Sequence, residues 1–179
     1  MAVLVAHASA HGSTEQIAGR IAARLCEQGL DAVSRPVADV TELTGFGAFV
    51  IGSAIHGGDW LPSGASFLAG NAGALAGQPV WLFSVSSIGE GSSAFPGVVE
   101  RQMQTVTRPP RAVTAVSPDL QPRDHHAFAG VVSTARWGLA GRIFLYTFGG
   151  RSGDHLNWQE IDAWAMRIAG ELRPGRRPG

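Results

Sequence analysis

The sequence has no lysine: its 14 basic side chains are all arginine, and 14 acidic ones balance them to a formal net charge of zero. That balance excludes a nucleic-acid partner held mainly through phosphate contacts. It also lacks the acidic surplus that a carrier steered to basic partners usually shows. A single cysteine, Cys26, rules out an internal disulfide and suits a reducing cytoplasm; within a helical pattern it reads as a small core or boundary residue. No stretch approaches the ~18 consecutive apolar residues that span a bilayer. The first apolar run, residues 2–6, has no basic flank and reads as a strand rather than a leader. His125 and His126 lack the spacing of zinc ligands, so no metal is expected.

What is present is an alternation of strand and helix signals. Residues 2–6, 46–53, 79–85 and 126–133 are apolar runs suited to strands covered on both faces, and residues 31–36 alternate as an edge strand would. Between them, residues 14–28 place Ile17, Ile21, Ala22, Leu25 and Cys26 at helical spacing before Gly29, and residues 63–75 form a small-residue helix before Gly77. A helix is expected over 92–106 and connecting loop over 108–122. The last helix spans 157–172, with Asn157 as N-cap and Ile161, Trp164, Ala165, Ile168 and Leu172 on one face. Five strands separated by helices predict an α/β fold, a doubly wound five-stranded parallel sheet with helices on both faces. At 179 residues the chain fits one domain, taken as 1–172, with a disordered tail over 173–179.

In such sheets ligands bind beyond the carboxyl ends of the strands, near the switch point. After strand one come Ser9, Ala10, His11, Gly12, Ser13 and Thr14, which run straight into the first helix. Hydroxyls and a glycine at a helix N-terminus form an anion site, because the backbone N–H groups and the helix dipole both favour negative charge. A capped helix start is the plainer reading, with Ser13 or Thr14 as the cap. Neither GxGxxG nor GxxxxGK(S/T) occurs at this turn, so a monophosphate fits better than a dinucleotide.

This loop resembles the phosphate loop of the flavodoxin family, (Ser/Thr)-x-Thr-Gly-x-Thr. The resemblance puts phosphate contacts at Ser9, Gly12, Ser13 and Thr14, with His11 where threonine is usual, and it implies flavin mononucleotide (FMN). The loop after strand three, with Ser53, Ala54, Ile55, His56, Gly57 and Trp60, would then line the flavin. Trp60 either covers a ring face or packs at the start of the next helix. His56 either approaches the flavin N5 or is an ordinary loop residue. Ser84, Val85, Ser86 and Ser87, after strand four, would form the third flavin loop.

Residues 9–18, 50–58, 83–85, 128–130 and 142–150, with Trp158 opening the last helix, are similar to a narrower family of flavodoxin-like enzymes, the menaquinone-dependent protoporphyrinogen IX dehydrogenases. That resemblance implies an FMN oxidoreductase acting on a quinone and a porphyrinogen. The family's basic stretch after strand four is absent: residues 88–96 are small with one acid, and Arg101, Arg108 and Arg111, which follow, either meet propionate groups in its place or are simply solvated. Residues 137–148 are apolar and aromatic, either a core segment or a surface for a quinone, a porphyrin or a peripheral membrane contact at the inner face. The alternative function is a flavodoxin-type electron carrier between protein partners. A homo-oligomer is left open.

Overall fold

A computed structural model of the chain describes residues 1–86, 110–115, 120–130 and 156–173. The elements in order are β1 (Ala2–Ala8), α1 (Ser13–Glu27), β2 (Asp31–Pro36), a 3-10 turn (Val37–Asp39), β3 (Ala48–His56), β4 (Asp59–Trp60), α2 (Pro62–Gly70) and α3 (Ala72–Leu75). They continue with β5 (Val80–Ser86), α4 (Arg111–Thr114), β6 (Asp124–Ala129) and α5 (Trp158–Leu172).

Five strands pair in parallel in the order β2-β1-β3-β5-β6. Parallel strands need crossover connections, and the sheet is therefore covered on both faces. On one face Val3, Val5, Val50, Trp81, Phe83 and Phe128 pack against α1 and α5; on the other Leu4, Ala6, Phe49, Ile51 and Leu82 pack beneath α2, α3 and α4. Strand alternation explains the division, since successive side chains point to opposite faces.

The helical periodicity expected for the first and last helices holds in the structure. Ile17, Ile21, Ala22 and Leu25 are buried along α1, and Ile161, Trp164, Ala165, Ile168 and Leu172 along α5. Asn157 caps α5, its side-chain oxygen accepting from Glu160 N at 3.2 Å. The two helices are tied together by Asp162, which accepts two hydrogen bonds from Arg20 at 2.7 and 2.8 Å and one from Arg24 at 2.6 Å. Those bonds, from Arg24 first and Arg20 second, hold the Asp162 carboxyl well below the usual carboxylate range.

Several expected boundaries shift. Cys26 is exposed, because it sits one residue round the helix from buried Leu25; its thiol donates to Ala32 O at 3.3 Å. The helix expected over 63–75 is two helices broken at Asn71. The fifth parallel strand begins at Asp124, two residues earlier than expected, and residues 131–133 lie outside the described residues. The expected loop over 108–122 contains the single helical turn α4, with Pro110 as its N-cap residue.

The third strand runs to His56 rather than Ser53, because it folds back on itself. His56 pairs with Asp59 and Ile55 with Trp60 in an antiparallel hairpin. Gly57 and Gly58, with φ of 64° and 86°, supply its two-residue turn. Both central positions need positive φ in such a turn, and only glycine takes it without strain. The expected helix over 92–106, the apolar segment 137–148 and, of the expected tail 173–179, residues 174–179 lie outside the described residues, whereas Arg173 is placed and donates to Gln28 O at 2.8 Å.

Candidate functional site

Three loops leave the carboxyl ends of β1, β3 and β5, which are adjacent in the sheet. Neighbouring strands lie ~4.8 Å apart, so the three loops start within ~10 Å of one another. Phe83 and Trp81 in β5 pair with Gly52 and Val50 in β3, which fixes the relative height of the second and third loops. His7 and Ala8 in β1 pair with Gly52 and Ser53, and this fixes the first.

The first loop is shaped by a hydroxyl and a glycine. The Ser9 hydroxyl oxygen accepts from Gly12 N at 2.9 Å, closing a tight turn. Gly12 then takes φ 92°, ψ −20°, the left-handed region, and serves as the N-cap of α1 with no side-chain cap. Its carbonyl accepts from Gln16 N at 3.0 Å, the first helical hydrogen bond. Ser13 and Thr14 are therefore not caps. They lie inside the first turn and are buried, at 9% and 1% exposure. Ala10 and His11 form the exposed tip. The first-turn amides of a helix find no partner in the helix ladder, and here they follow an open glycine at which an added Cβ would meet nothing within 4 Å.

The second loop is held from below. The Ser53 hydroxyl donates to Ala54 O at 2.9 Å and accepts from Leu61 N at 3.1 Å, while fully buried. Gly64 of α2 presses on it: a Cβ there would lie 2.8 Å from Ser53 Oγ. Trp60 is 3% exposed and belongs to the buried cluster that holds Leu4, Ala6 and Leu68. Its backbone N–H donates to Asp59 Oδ1, which also accepts from Ala112 N of α4. What the second loop presents outward is half-buried Ala54 and Ile55, then exposed His56 and Gly57.

In the third loop, Ser84 is buried and its hydroxyl engages two rings, Trp60 at 2.7 Å and His125 at 2.8 Å. Val85 is buried in the core, Ser86 is half-buried at the strand end, and Ser87 lies outside the described residues.

One residue at the base of this site stands outside every motif in the sequence. His7 interrupts the apolar run of β1 two residues before Ser9, is 4% exposed, and its Nδ1 finds no hydrogen-bond partner among the described residues. Burial pushes its pKa down, against the opposing pull of Glu15 and Asp39. The available signal is a polar residue at a core position of a two-sided strand. Elsewhere, an open groove of about 330 Å³ lies at the amino end of β3, lined by Leu43, Phe46, Phe49, Asn71 and Gln78 among others, with no titratable side chain on it. Among the described residues no group of three metal-ligating side chains occurs, and no helix is long and apolar enough to cross a membrane.

A parallel sheet with this strand order, a tight glycine turn at the first helix and two further loops beside it define a doubly wound domain of the mononucleotide-binding type. A family model described as a flavodoxin domain matches residues 4–148, and the chain belongs to that family. Membership implies FMN as the cofactor, and the residues present fit it: an open left-handed glycine at a helix N-terminus suits a phosphate, and the neighbouring loops are close enough for a ring.

Among solved structures, a cysteine-to-serine mutant of the flavodoxin from Pseudomonas aeruginosa superposes with TM-score 0.61 at 16% identity, over 96% of this chain and 99% of that one. Oxidised flavodoxin 1 from Bacillus cereus gives 0.58 at 14% identity, over 97% and 100%. The rubredoxin:oxygen oxidoreductase of Desulfovibrio gigas gives 0.57 at 16% identity, over 96% of this chain but 36% of that one. At these identities the likeness is one of fold. No curated protein sequence matches the chain.

Proposed function

We propose that this chain binds FMN at the carboxyl edge of its sheet and transfers electrons to a redox partner, as a flavodoxin-type carrier. The observation that carries the reading is the first loop, where Ser9 locks Gly12 into the left-handed turn that opens α1. In this reading the backbone of residues 10–14 holds the phosphate, with the α1 dipole favouring its charge. Ile55, His56 and Gly57 meet the polar edge of the ring, and Ser86 borders it from the end of β5. Ser53, Trp60 and Ser84 act from beneath, fixing the height of the second and third loops through the hydrogen bonds already described. Bound FMN supplies the redox chemistry, so little acid–base work falls to the side chains.

A second reading, a quinone-linked dehydrogenase resembling the menaquinone-dependent protoporphyrinogen IX enzymes, is favoured by the charge balance of 14 against 14. A carrier that docks by charge is usually strongly acidic. On this reading Arg111, exposed at the start of α4, belongs to the substrate side; α4 is tied by its Ala112 N–H to Asp59 in the second-loop hairpin.

The deciding experiment loads the purified protein with FMN, reduces it, and offers either cytochrome c or menaquinone with protoporphyrinogen IX. Fast reoxidation by the protein acceptor with no porphyrin formed supports the carrier. Catalytic porphyrin formation replaces it with the dehydrogenase. A protein that takes up no FMN overturns both.

A further inference from the structure

Gly130, directly after β6, touches two of the three loops. Its N–H donates to Ser86 O at 2.8 Å, extending the β5–β6 ladder into the third loop and pinning the Gly130 backbone. On its other side it faces the first turn of α1, where an added Cβ would lie 3.3 Å from Ser13 Cβ and 3.5 Å from Ser13 Oγ, and 2.8 Å from Val85 Cγ1. Its φ is not in the left-handed region, so the turn itself does not demand glycine here. The demand is steric: the chain leaving β6 passes close under the helix that carries the phosphate loop.

We propose that Gly130 is a positioning residue for the phosphate loop, its missing side chain setting how far the first turn of α1 settles toward the sheet. The inference rests on the FMN reading above. Because Ser86 holds the Gly130 backbone, a methyl group added at this position has two ways out. It displaces the Val85 methyl or it lifts Ser13. Ser13 follows the left-handed Gly12 directly, and lifting it moves the amides that face a phosphate. Such a shift weakens a ligand that carries the phosphate and spares one that lacks it.

The test compares FMN with riboflavin, which has the same ring and no phosphate. Apoprotein of wild type and Gly130→Ala is titrated with each, following the quenching of flavin fluorescence, beside urea melts of the same samples. The expected result is FMN affinity lowered roughly tenfold, the loss of about one charge-assisted hydrogen bond, with riboflavin affinity changed less than about threefold on the same scale. If Gly130→Ala does not fold, Gly130→Ala/Val85→Ala relieves the closest contact and keeps the one to Ser13, and the same ratio is read there. Equal weakening of both ligands, or none, overturns the positioning role while leaving FMN binding intact. Wild-type protein that binds no FMN overturns the underlying reading and this inference with it.

Discussion

Trp60 and Ser84, on different strands and 24 residues apart, meet through a 2.7 Å hydrogen bond from the indole Nε1–H to the serine hydroxyl, and both side chains are buried. The bond fastens the second-loop hairpin to β5 from inside the core. Ser84→Ala leaves a buried indole N–H without this acceptor, and such a loss costs about 1–3 kcal/mol. Urea unfolding of the apoprotein reads it directly. Trp60→Phe in the Ser84→Ala background removes the stranded donor, so the double variant costs less than the sum of the two single ones. Simple additivity would show that the two side chains do not work as a pair.

The first loop predicts a different pattern. Gly12→Ala forces a Cβ into the left-handed region at φ 92°, costing about 1–2 kcal/mol. Ser9→Ala removes the acceptor that closes the turn on Gly12 N. Both variants weaken FMN more than riboflavin in a fluorescence titration, because both act on the turn that leads to the phosphate amides. A Gly12→Ala protein with unchanged stability and unchanged FMN affinity would mean that the turn opens α1 in some other conformation.

The first and last helices are legible in the sequence because each carries a long single-faced apolar period, and the central strands β1, β3 and β5 because two-sided burial leaves long apolar runs. The order of the three loops follows from that alternation. The hairpin at Gly57–Gly58 is harder to see, although two adjacent glycines between His56 and Asp59 are a known two-residue turn signal. The apolar run ending at Ser53 masks it, and glycines there suit close approach by a ring equally well. The roles of Ser13, Thr14 and Trp60 are just as hard to read, since a hydroxyl at a helix start serves a cap, a ligand or a buried turn alike. The Ser9–Gly12 bond, with Gly12 as the N-cap of α1, sets the cap role apart from the other two. His7 is marked only as a polar residue inside the buried run of β1, and Gly130 meets Ser13 and Val85, neighbours distant in sequence that no local pattern marks.

Gly52 and Phe83 predict a packing effect at the base of the site. The two residues are paired across β3 and β5, and a Cβ at Gly52 would lie 2.1 Å from the Phe83 ring. The ring is fully buried and lies over the glycine backbone. Gly52→Ala is therefore overpacked, with a cost of about 1–3 kcal/mol. Phe83→Leu in that background opens the space and recovers part of the loss, whereas Phe83→Leu alone leaves a void and destabilises. Thermal melts of the three variants check the sign reversal, and Phe83→Leu destabilising by the same amount in both backgrounds would refute the steric argument.

His7 predicts the pH dependence of folding. Its ordinary value is 6.5, and burial lowers it in the folded protein despite the negative charge of Glu15 in α1 and Asp39 in the 3-10 turn. Below 6.5 the unfolded chain therefore binds a proton at this residue more readily than the native one does. Stability rises with pH wherever the unfolded state holds more protons, so the contribution of His7 is full above 6.5 and is lost as pH falls through the folded value. One such group gives a slope of at most about 1.4 kcal/mol per pH unit. Urea midpoints of wild type and His7→Gln, measured at intervals from acidic to neutral pH, isolate the term, because every other titrating group is common to both proteins. The wild type should lose stability faster on acidification below 6.5, and the two curves should run parallel above it. Parallel curves throughout would mean that His7 takes up its proton without unfolding the carboxyl end of β1, and that its burial does not hold it neutral beneath the first loop.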